Sequence, residues 1–275
     1  MIKHLLRLIF IASLAALTCA CAHQSNYLSS VLPFDHSCSD MLKRPVPADA
    51  DALDMTSLRF LSWNIQKGQQ PNWFQDLEKY ANDKDLILIQ EASESMSAND
   101  MLSGRHWAFA PGYKSQNEVT GVATLSKVEP VDQCSLTTFE PWLGTPKATN
   151  VTRYALRESH QSLLVINIHM INFVWSNEVF DQQLRTAADL LEKHSGPVIV
   201  SGDFNTWRMS RFQLLDTTLT GLGLAPVTFA EDHRTRFFGR PVDHIYIGGL
   251  KAGSARTYQV DSSDHNPLVV DLSAL

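Results

Sequence analysis

Short apolar runs separated by turn-forming residues fill the chain from residue 57 to its end. Runs of this length, bounded by Gly, Pro, Asn or Asp, predict β-strands. The seven predicted strands are Leu58–Asn64, Asp85–Gln90, Gly121–Ser126, Leu163–His169, Pro197–Gly202, Val242–Ile247 and Pro267–Leu272. This part of the chain is therefore expected to consist mainly of strands.

Helical periodicity is confined to a few segments. The second of these has the clearest apolar face, with Phe180, Leu184 and Leu191 near helical spacing and charged residues between them. The three predicted helices are Trp73–Ala81, Asn177–His194 and Arg211–Leu219. Because many strands occur with few helices between them, we expect an α+β fold of two packed sheets covered by helices, rather than a doubly wound parallel sheet.

The N-terminus has the three regions of a secretory signal. Lys3 and Arg7 precede an apolar run over residues 8–17, and small residues follow at 18–22. The alternative is a membrane-anchoring helix, but the apolar run is shorter than the roughly 20 residues that a bilayer span needs. Residues 1–22 are therefore predicted to be a signal peptide, and the protein to be exported: periplasmic, outer-membrane or secreted.

Two cleavage routes fit the end of this segment. Ala20-Cys21-Ala22 matches an Ala-x-Ala site that would release a soluble protein. The run Leu17-Thr18-Cys19-Ala20-Cys21 resembles a bacterial lipoprotein box, although Leu17 lies four residues before Cys21 rather than three. A cysteine at this boundary has no other evident purpose, which favours the lipoprotein. A lipid on Cys21 would then attach the protein to a membrane.

Residues 23–56 form a predicted arm or tether, because they are rich in Ser, Asp and Pro and show no sustained period. Residues 57–275 form the predicted catalytic domain. Cys38 in the arm and Cys134 in the domain could form a disulfide in an oxidising compartment, or could be two unrelated thiols. The sequence leaves that choice open.

The charge balance limits the functions that are plausible. The formal net charge is −6, whereas proteins that coat DNA through phosphate contacts are usually basic. A local basic patch could still serve a nuclease. No Gly-rich phosphate loop follows any predicted strand, which argues against an enzyme that uses a nucleotide cofactor. Nothing in the sequence indicates an obligate protein partner.

Polar side chains gather where the predicted strands end or begin, so that different strands could bring them to one edge. A carboxylate at the end of a buried strand is costly unless it is paired or bound to a metal. Carboxylate and amide oxygens suit Mg²⁺, Mn²⁺ or Ca²⁺ better than Zn²⁺. Glu91 is the best candidate metal ligand, with Asn64 close to it. The residues concerned are Asn64, Glu91, Asn167, His169, Asp203, Asn205, Asp264 and His265.

Asp264 and His265 form a candidate acid/base pair, since histidine titrates nearest neutral pH and a carboxylate can orient it. Neighbours on a strand point in opposite directions, so Asp203 could serve the same water from another strand. Each motif alone has a simpler explanation as a turn, a helix start or a structural histidine. Their joint occurrence in this order indicates a catalytic site.

These residues, in this order, resemble the endonuclease/exonuclease/phosphatase superfamily, which includes DNase I, exonuclease III-type repair nucleases, inositol-phosphate 5-phosphatases and neutral sphingomyelinases. The resemblance implies a DNase I-like, four-layered α/β/β/α sandwich and places the chain in a compact bacterial branch. It extends over nearly all of the predicted domain. The matching segments are Leu61–Asn64, Leu88–Glu91, Gly121–Ser126, Asn167–His169, Ser201–Asn205, Val242–Ile245 and Ser263–Leu268.

The resemblance also implies a role for each matching residue. Glu91 would bind Mg²⁺ or Mn²⁺ with Asn64 beside it, while one or two ions are equally compatible with the sequence. His169 would contact the scissile phosphate and Asn205 would hold one of its oxygens. Asp203 would orient or deprotonate the attacking water, and His265 would be the general base or stabilise the phosphate. Asp264 would support the metal site or its partner histidine. Asp243 would orient a histidine.

Two features depart from the nucleases of the family. The segments between motifs are short and the chain is acidic, so the duplex-gripping loops of those nucleases are not evident. The clearest basic cluster, Arg234, Arg236 and Arg240, would either bind substrate phosphate or form a solvated turn. The aromatic side chains of the segment 171–175 could stack on a base, touch a lipid chain or pack in a core.

The sequence therefore predicts a metal-dependent phosphoesterase that cleaves phosphodiester bonds by in-line attack of water, with a nuclease-like activity first. The alternatives are a sphingomyelinase-like phospholipid phosphodiesterase and a phosphomonoesterase. A catalytically inactive binding protein is a further alternative, against which the intact set from Glu91 to His265 argues.

Overall fold

The computed structural model describes residues 36–98, 102–114, 117–141 and 143–275. The predicted signal peptide, its cleavage sites and the lipidation site at Cys21 lie outside the described residues. Within these ranges, no helix is both long enough and apolar enough to cross a membrane.

The described chain contains four helices and fifteen strands. The helices are α1 (His36–Met41), α2 (Trp73–Ala81), α3 (Glu178–Glu192) and α4 (Met209–Gly221), and 3₁₀ turns span Gln66–Gly68 and Glu94–Ala98. The strands are β1 (Ala52–Leu53), β2 (Leu58–Asn64), β3 (Leu86–Ser93), β4 (His106–Lys114), β5 (Val119–Ser126), β6 (Asp132–Phe139), β7 (Pro146–Leu156), β8 (Ser162–His169), β9 (Val198–Asp203), β10 (Ala225–Pro226), β11 (Arg236–Phe237), β12 (Arg240–Pro241), β13 (Asp243–Gly248), β14 (Leu250–Thr257) and β15 (Leu268–Ala274).

The strands form two large sheets and one small hairpin. The seven-stranded sheet has the order β1-β7-β8-β9-β13-β10, with β6 paired to β7. The six-stranded sheet has the order β14-β15-β2-β3-β5-β4. Strands β8 and β9 are parallel in the first sheet, as are β2 and β3 in the second. The third element is the two-stranded hairpin β11–β12.

Three apolar layers hold these elements together. Residues of both sheets, such as Phe60 and Leu88 from one and Val165 and Ile199 from the other, form the middle layer. Helices α1, α3 and α4 cover the outer face of the seven-stranded sheet. Helix α2 covers the other sheet through side chains such as Leu77. Because each fully buried aliphatic side chain contributes about 1.5–3 kcal/mol, the layers are held firmly. The predicted four-layered α/β/β/α sandwich is confirmed.

All seven predicted strands and all three predicted helices are present, with ends that differ by a few residues. The sequence did not predict the other eight strands, which are the two-residue strands β1, β10, β11 and β12 and the longer strands β4, β6, β7 and β14. Strand β6 is half-buried along most of its length, and β14 is an exposed edge strand with Gly253 and Ser254 inside it. Neither gives the continuous apolar run on which the prediction depended. In β7 the buried positions include Thr149, Asn150 and Thr152, which interrupt the apolar pattern.

The described part of the predicted arm, residues 36–56, lies against the domain. Cys38 and Met41 of α1 are buried in the core beside α3, and β1 pairs in parallel with β7. A disulfide joins Cys38 to Cys134 of β6, across 96 residues of sequence. The structure therefore contains the disulfide that the sequence left open. It fastens the arm to an outer strand pair of the seven-stranded sheet.

Candidate active site

Three neighbouring strands place His169, Asp203 and Asp243 side by side. His169 is the register partner of Asp203 in the parallel pair β8–β9, and Asp243 is its partner in the antiparallel pair β9–β13. All three side chains are buried. Because the register of a sheet is fixed by its buried face, these groups are held at one level of the seven-stranded sheet.

Gly202 is required for this arrangement. Its φ is +147°, and a Cβ at this position would lie 1.9 Å from the carbonyl oxygen of Ile168 on the neighbouring strand. Only glycine therefore permits β8 and β9 to approach closely enough to bring His169 next to Asp203.

The six-stranded sheet supplies the other half of the site. Asn64 ends β2, and His265 lies in the segment that leads into β15. The indole Nε1 of Trp63 donates to the carbonyl oxygen of His265 at 2.8 Å, and the Ser263 hydroxyl donates to the carbonyl oxygen of Asn64 at 2.7 Å. These bonds fix the histidine segment on the end of β2.

Glu91 occupies a β-bulge. The register between β3 and β5 shifts between Gln90 and Ala92, and Glu91 has a φ of +54°. A left-handed conformation is uncommon for a non-glycine residue and costs on the order of 1–3 kcal/mol. Bulges next to active sites re-aim a side chain in this way. Here Gln90 points between the sheets while Glu91 lines the surface cavity described below.

Asp203 lies at the centre of the polar cluster. Its Oδ2 accepts a hydrogen bond from Asn64 Nδ2 at 3.1 Å and lies 3.5 Å from His169 Nε2 and 3.8 Å from His265 Nε2. Its Oδ1 accepts a hydrogen bond from the backbone N–H of Asn205 at 3.0 Å. Burial, and the nearby carboxylate of Asp243, raise the pKa of Asp203 against the opposing charge of His265.

His265 and Asp243 form a tight pair. Nδ1 of His265 lies 2.8 Å from Oδ2 of Asp243 and 3.0 Å from its Oδ1. Burial opposes protonation of the imidazole, but the carboxylates of Asp243 and Asp203 outweigh it and raise the pKa of His265 to about 10. His265 is therefore a cation at neutral pH, and its Nε2 lies 3.8 Å from Oδ2 of Asp203, beyond hydrogen-bond distance.

His169 has the opposite electrostatic environment. Its Nε2 lies 2.8 Å from Nζ of Lys147 and 3.9 Å from Oε1 of Glu91. Burial first, and then the positive charges of Lys147 and His265, lower the pKa of His169 well below its usual value. The imidazole is therefore neutral, and its Nε2 accepts a hydrogen bond from the Lys147 ammonium.

Asn205 and Asp264 are placed differently from the other predicted residues. The Asn205 side chain donates to the carbonyl oxygen of Met170 at 3.0 Å, so its amide nitrogen is engaged within the protein. Asp264 is exposed, and its backbone carbonyl accepts from the Thr235 hydroxyl. Its carboxylate helps to raise the pKa of His265 through its charge. The phosphate role of Asn205 and the supporting role of Asp264 stay predictions.

The three arginines lie on and beside the β11–β12 hairpin. Arg234 and Arg236 both pair with Asp232, at 2.8 Å and 2.6 Å, and Arg234 also lies 3.3 Å from His244 Nδ1. Arg240 donates to the carbonyl oxygen of Phe238. Arg234 therefore fastens the hairpin base beside Asp243. Binding of substrate by these arginines stays a prediction.

The side chains of the cluster fit a hard divalent cation. Ligand atoms of Asp203, Asp243 and His265 all lie within 4.8 Å of one another. The predicted ligand Glu91 is half-buried beside His169, and Asn64 is joined to Asp203. Buried carboxylates are costly without a neutralising charge, and oxygen donors suit Mg²⁺ or Mn²⁺. A cation therefore fits either beside Glu91 in the open cavity or at the three-residue group.

A cavity of about 260 Å³ opens beside Glu91 and His169, and Lys67, Tyr113 and Lys147 also line it. Nζ of Lys67 lies 4.0 Å from Oε2 of Glu91. Neither lysine was predicted from the sequence. Lys147 is the second residue of β7, which has no continuous apolar run, and Lys67 lies in a 3₁₀ turn with a φ of +58°. The strand-end signal that located the other residues was therefore absent.

Comparisons with known proteins bear on the family and the fold of the chain. Residues 61–265 match the Endonuclease/Exonuclease/phosphatase family. A UPF0294 protein of Vibrio cholerae is 39% identical over 225 residues, which cover 80% of both chains. A solved endonuclease/exonuclease/phosphatase from Bacteroides vulgatus has a TM-score of 0.62 at 16% identity, covering 80% of this chain and all of that one. A mannosyl-6-phosphatase of Bacteroides thetaiotaomicron has a TM-score of 0.57 at 17% identity, covering 78% and 99% of the chains. The fold of both structures is the DNase I-like sandwich described above.

Proposed function

The chain belongs to the endonuclease/exonuclease/phosphatase family, and we propose that it is a divalent-metal-dependent phosphodiesterase that uses Asp203 and His265 to activate water and stabilise the phosphate. Hydrolysis of a phosphoester is the chemistry that the family supports. The observation that carries the finer proposal is the central position of Asp203, within 4 Å of Asn64, His169 and His265.

Two neighbouring residues divide the proton chemistry. Asp203 accepts a proton from the attacking water, since its raised pKa brings the carboxylate closer to neutral pH, where a general base works best. His265 is already protonated, with Nδ1 occupied by Asp243. Its free Nε2–H donates to a phosphate oxygen and stabilises the charge that develops there. Of the two roles that the resemblance implies for His265, we therefore propose stabilisation of the phosphate.

The opposite side of the site positions the phosphate. The Lys147 ammonium donates to Nε2 of neutral His169 at 2.8 Å, and its other N–H groups can donate to the remaining phosphate oxygens. We assign metal binding to Glu91 with Asn64, because Glu91 lines the open cavity while Asp243 is occupied by His265. A bound Mg²⁺ or Mn²⁺ supplies positive charge to the non-bridging oxygens.

The test is a hydrolysis screen on purified protein with Mg²⁺ or Mn²⁺. The substrates are bis(p-nitrophenyl) phosphate, plasmid DNA, phospholipid vesicles and p-nitrophenyl phosphate, which separate the diester, nuclease, lipid and monoester activities. We expect turnover of the diester, lost on addition of EDTA and in Asp203→Asn. Asp216→Asn, on the outer helix α4, is the matched control. Turnover that survives Asp203→Asn, or that is confined to the monoester, would contradict the proposal.

We also propose that residues 1–22 direct export and that Cys21 is lipidated, which rests on the sequence pattern alone. Mass spectrometry of the N-terminus of protein purified from the native host tests this. A diacylglycerol-modified Cys21 is expected. An N-terminus at His23 would indicate the Ala-x-Ala route instead, and an intact Met1 would contradict export by cleavage.

A further inference from the structure

Exposed hydrophobic side chains are concentrated beside the candidate active site. Among the described residues, eight large hydrophobic side chains are exposed. Five of them lie on three neighbouring segments: 171–175 after β8, 206–209 after β9, and the β11–β12 hairpin. Single exposed apolar residues are normal, but a contiguous group marks an interaction surface. The five are Phe173, Trp175, Met209, Phe237 and Phe238.

These segments form one continuous surface, which we call the aromatic rim and define as Phe173, Trp175, Trp207, Phe237 and Phe238. The indole of Trp207 lies 5.8 Å from the ring of Phe238 and donates to the side-chain oxygen of Asn172. Arg208 donates to the carbonyl oxygen of Trp175. The ring of Phe237 lies 6.3 Å from the imidazole of His265. The rim therefore reaches the catalytic histidine.

Buried charges hold the rim in place. The Arg211 guanidinium is fully buried and donates to the carbonyl oxygens of Ile171, Asn172 and Val174. From the other side, the buried carboxylate of Glu140 accepts from the backbone N–H groups of Asn172 and Phe173. Because both the carbonyl oxygens and the N–H groups of this segment are bound by buried side chains, its backbone is held in place. The fold therefore keeps Phe173 and Trp175 exposed.

The tip of the β11–β12 hairpin also holds an exposed aromatic side chain in a fixed position. Phe238 and Gly239 connect β11 and β12 with φ values of +50° and +78°. Two-residue turns of this kind favour Asn, Asp or Gly at both positions. Phe238 instead adopts the left-handed conformation and is 82% exposed. A small residue would therefore serve the fold at this position at least as well as Phe238 does.

Positive charge surrounds these aromatic side chains. Arg208 stacks over Trp207 at 5.7 Å from the ring, while Arg236 and Arg240 flank Phe237 and Phe238 on the hairpin. Protruding aromatics interspersed with arginines are typical of surfaces that enter the headgroup region of an anionic membrane. A base-stacking site would instead hold its aromatics along a groove, whereas Phe238 stands at the tip of a hairpin.

We propose that the aromatic rim docks on an anionic phospholipid surface and presents a lipid phosphodiester to the site beside His265. The catalytic part of this inference rests on the proposed function, whereas the docking part does not. Trp175 and Phe238 enter the interface, and Arg208 and Arg240 contact lipid phosphates. The substrate class is thereby a phosphodiester in a membrane lipid headgroup.

The experiment uses purified full-length protein with vesicles of phosphatidylglycerol whose acyl chains carry bromine, and follows quenching of tryptophan fluorescence. Any contribution of residues 1–22 to vesicle binding is common to all variants, so the readout is local to the rim. We expect quenching that falls strongly in Trp175→Phe. Trp107→Phe is the matched control, because Trp107 packs beside Phe109 on the helix-covered face of the six-stranded sheet. Equal quenching in wild type and Trp175→Phe would overturn the docking.

A second measurement compares hydrolysis on vesicles with hydrolysis of bis(p-nitrophenyl) phosphate. In the double variant Trp175→Ser, Phe238→Ser we expect the ratio of the two rates to fall at least about tenfold, since both changes remove a large apolar side chain from the proposed interface. Leu275→Ser, an exposed apolar residue at the C-terminus, should leave the ratio unchanged.

The outcomes separate the two proposals. Diester hydrolysis without rim-dependent vesicle contact would overturn the docking and leave the proposed function intact. Rim-dependent contact without diester hydrolysis would do the reverse. If the double variant loses single-stranded DNA binding while its vesicle contact is unchanged, the rim binds nucleic acid and the lipid assignment is wrong.

Discussion

The side-chain amides of Gln90 and Asn167 hydrogen-bond to each other at 2.7 Å across the interface between the two sheets. Asn167 also donates to the carbonyl oxygen of Ala123 at 2.9 Å. Each amide lies just before a site residue in sequence, Gln90 before Glu91 and Asn167 two positions before His169. The pair therefore fixes the relative position of the half-sites that the two sheets carry.

Replacing Asn167 with Leu tests this bridge. The change keeps the side-chain volume but removes the acceptor of the buried Gln90 amide, which retains only the Ser62 hydroxyl at 3.4 Å, and removes the donor to the carbonyl of Ala123. We expect a loss of about 1–3 kcal/mol in the free energy of unfolding, measured by urea denaturation, together with a fall in turnover. The double variant Gln90→Met, Asn167→Leu should lose less than the sum of the single variants. Additive losses would mean that the two amides act independently.

A site residue could be predicted from the sequence where it follows a recognisable apolar strand. Asn64, His169 and Asp203 follow long apolar runs, so the end of a buried strand could be located and its polar residue singled out. The φ of +54° at Glu91 follows from the bulge between β3 and β5, which is a property of strand pairing and not of local sequence. The position of Glu91 at the end of a strand was thus predictable, but its left-handed backbone conformation in the bulge was not.

Lys147 illustrates the opposite case. It belongs to β7, whose buried Thr149, Asn150 and Thr152 hide the strand from any apolar pattern. The hydrogen bonds that Arg211 and Glu140 make with the segment after β8 could not be predicted either, because these residues are distant in sequence and meet only in the folded protein. Contacts between distant polar residues carry no local signal, which is why the fold was predicted more completely than the site.

Lys147→Met should weaken the binding of substrate. The change removes a charge-assisted hydrogen-bond donor at the phosphate site, a loss of about 1.5–3 kcal/mol, which corresponds to a rise in KM of about tenfold or more. It also removes one of the charges that lower the pKa of His169. Steady-state kinetics on the diester provides the measurement. Lys127→Met, which breaks an exposed pair with Asp85, should leave KM unchanged, and equal effects of the two changes would remove Lys147 from the site.

Asp243→Asn should lower the rate and alter its pH dependence. With one carboxylate gone, the pKa of His265 falls from about 10 towards its ordinary value. Because the protonated imidazole is the active form, activity is retained at low pH and lost as pH rises through the lowered pKa. We expect a loss of about 10²–10⁴ in kcat/KM and a descending limb at lower pH than in wild type. An unchanged profile in Asp243→Asn, with Asp271→Asn as control, would contradict the role of protonated His265.

Glu91→Gln should raise the concentration of Mg²⁺ or Mn²⁺ that gives half-maximal activity. The amide keeps the shape of the side chain but loses the negative charge that attracts the ion. We expect an increase of roughly 10–100-fold, measured by titration of metal into EDTA-stripped enzyme. Glu94→Gln, exposed in the following 3₁₀ turn, is the matched control. If Asp243→Asn shifts the titration and Glu91→Gln does not, the ion binds at the group of Asp203, Asp243 and His265 instead.

The disulfide should contribute to stability without taking part in the reaction. Cys38 and Cys134 close a loop of nearly a hundred residues, and cross-links of that span stabilise the folded state by about 2–5 kcal/mol, chiefly by restricting the unfolded chain. Cys38 of α1 and Cys134 of β6 both pack in the apolar layer between α3 and the seven-stranded sheet. The variant Cys38→Ala, Cys134→Ala should therefore unfold at lower urea concentration but keep wild-type kcat and KM at 25 °C. If the variant and the wild type unfolded at the same urea concentration, the disulfide would contribute nothing measurable. The apolar contacts of α1, such as those of Met41, would then hold the arm on the sheet.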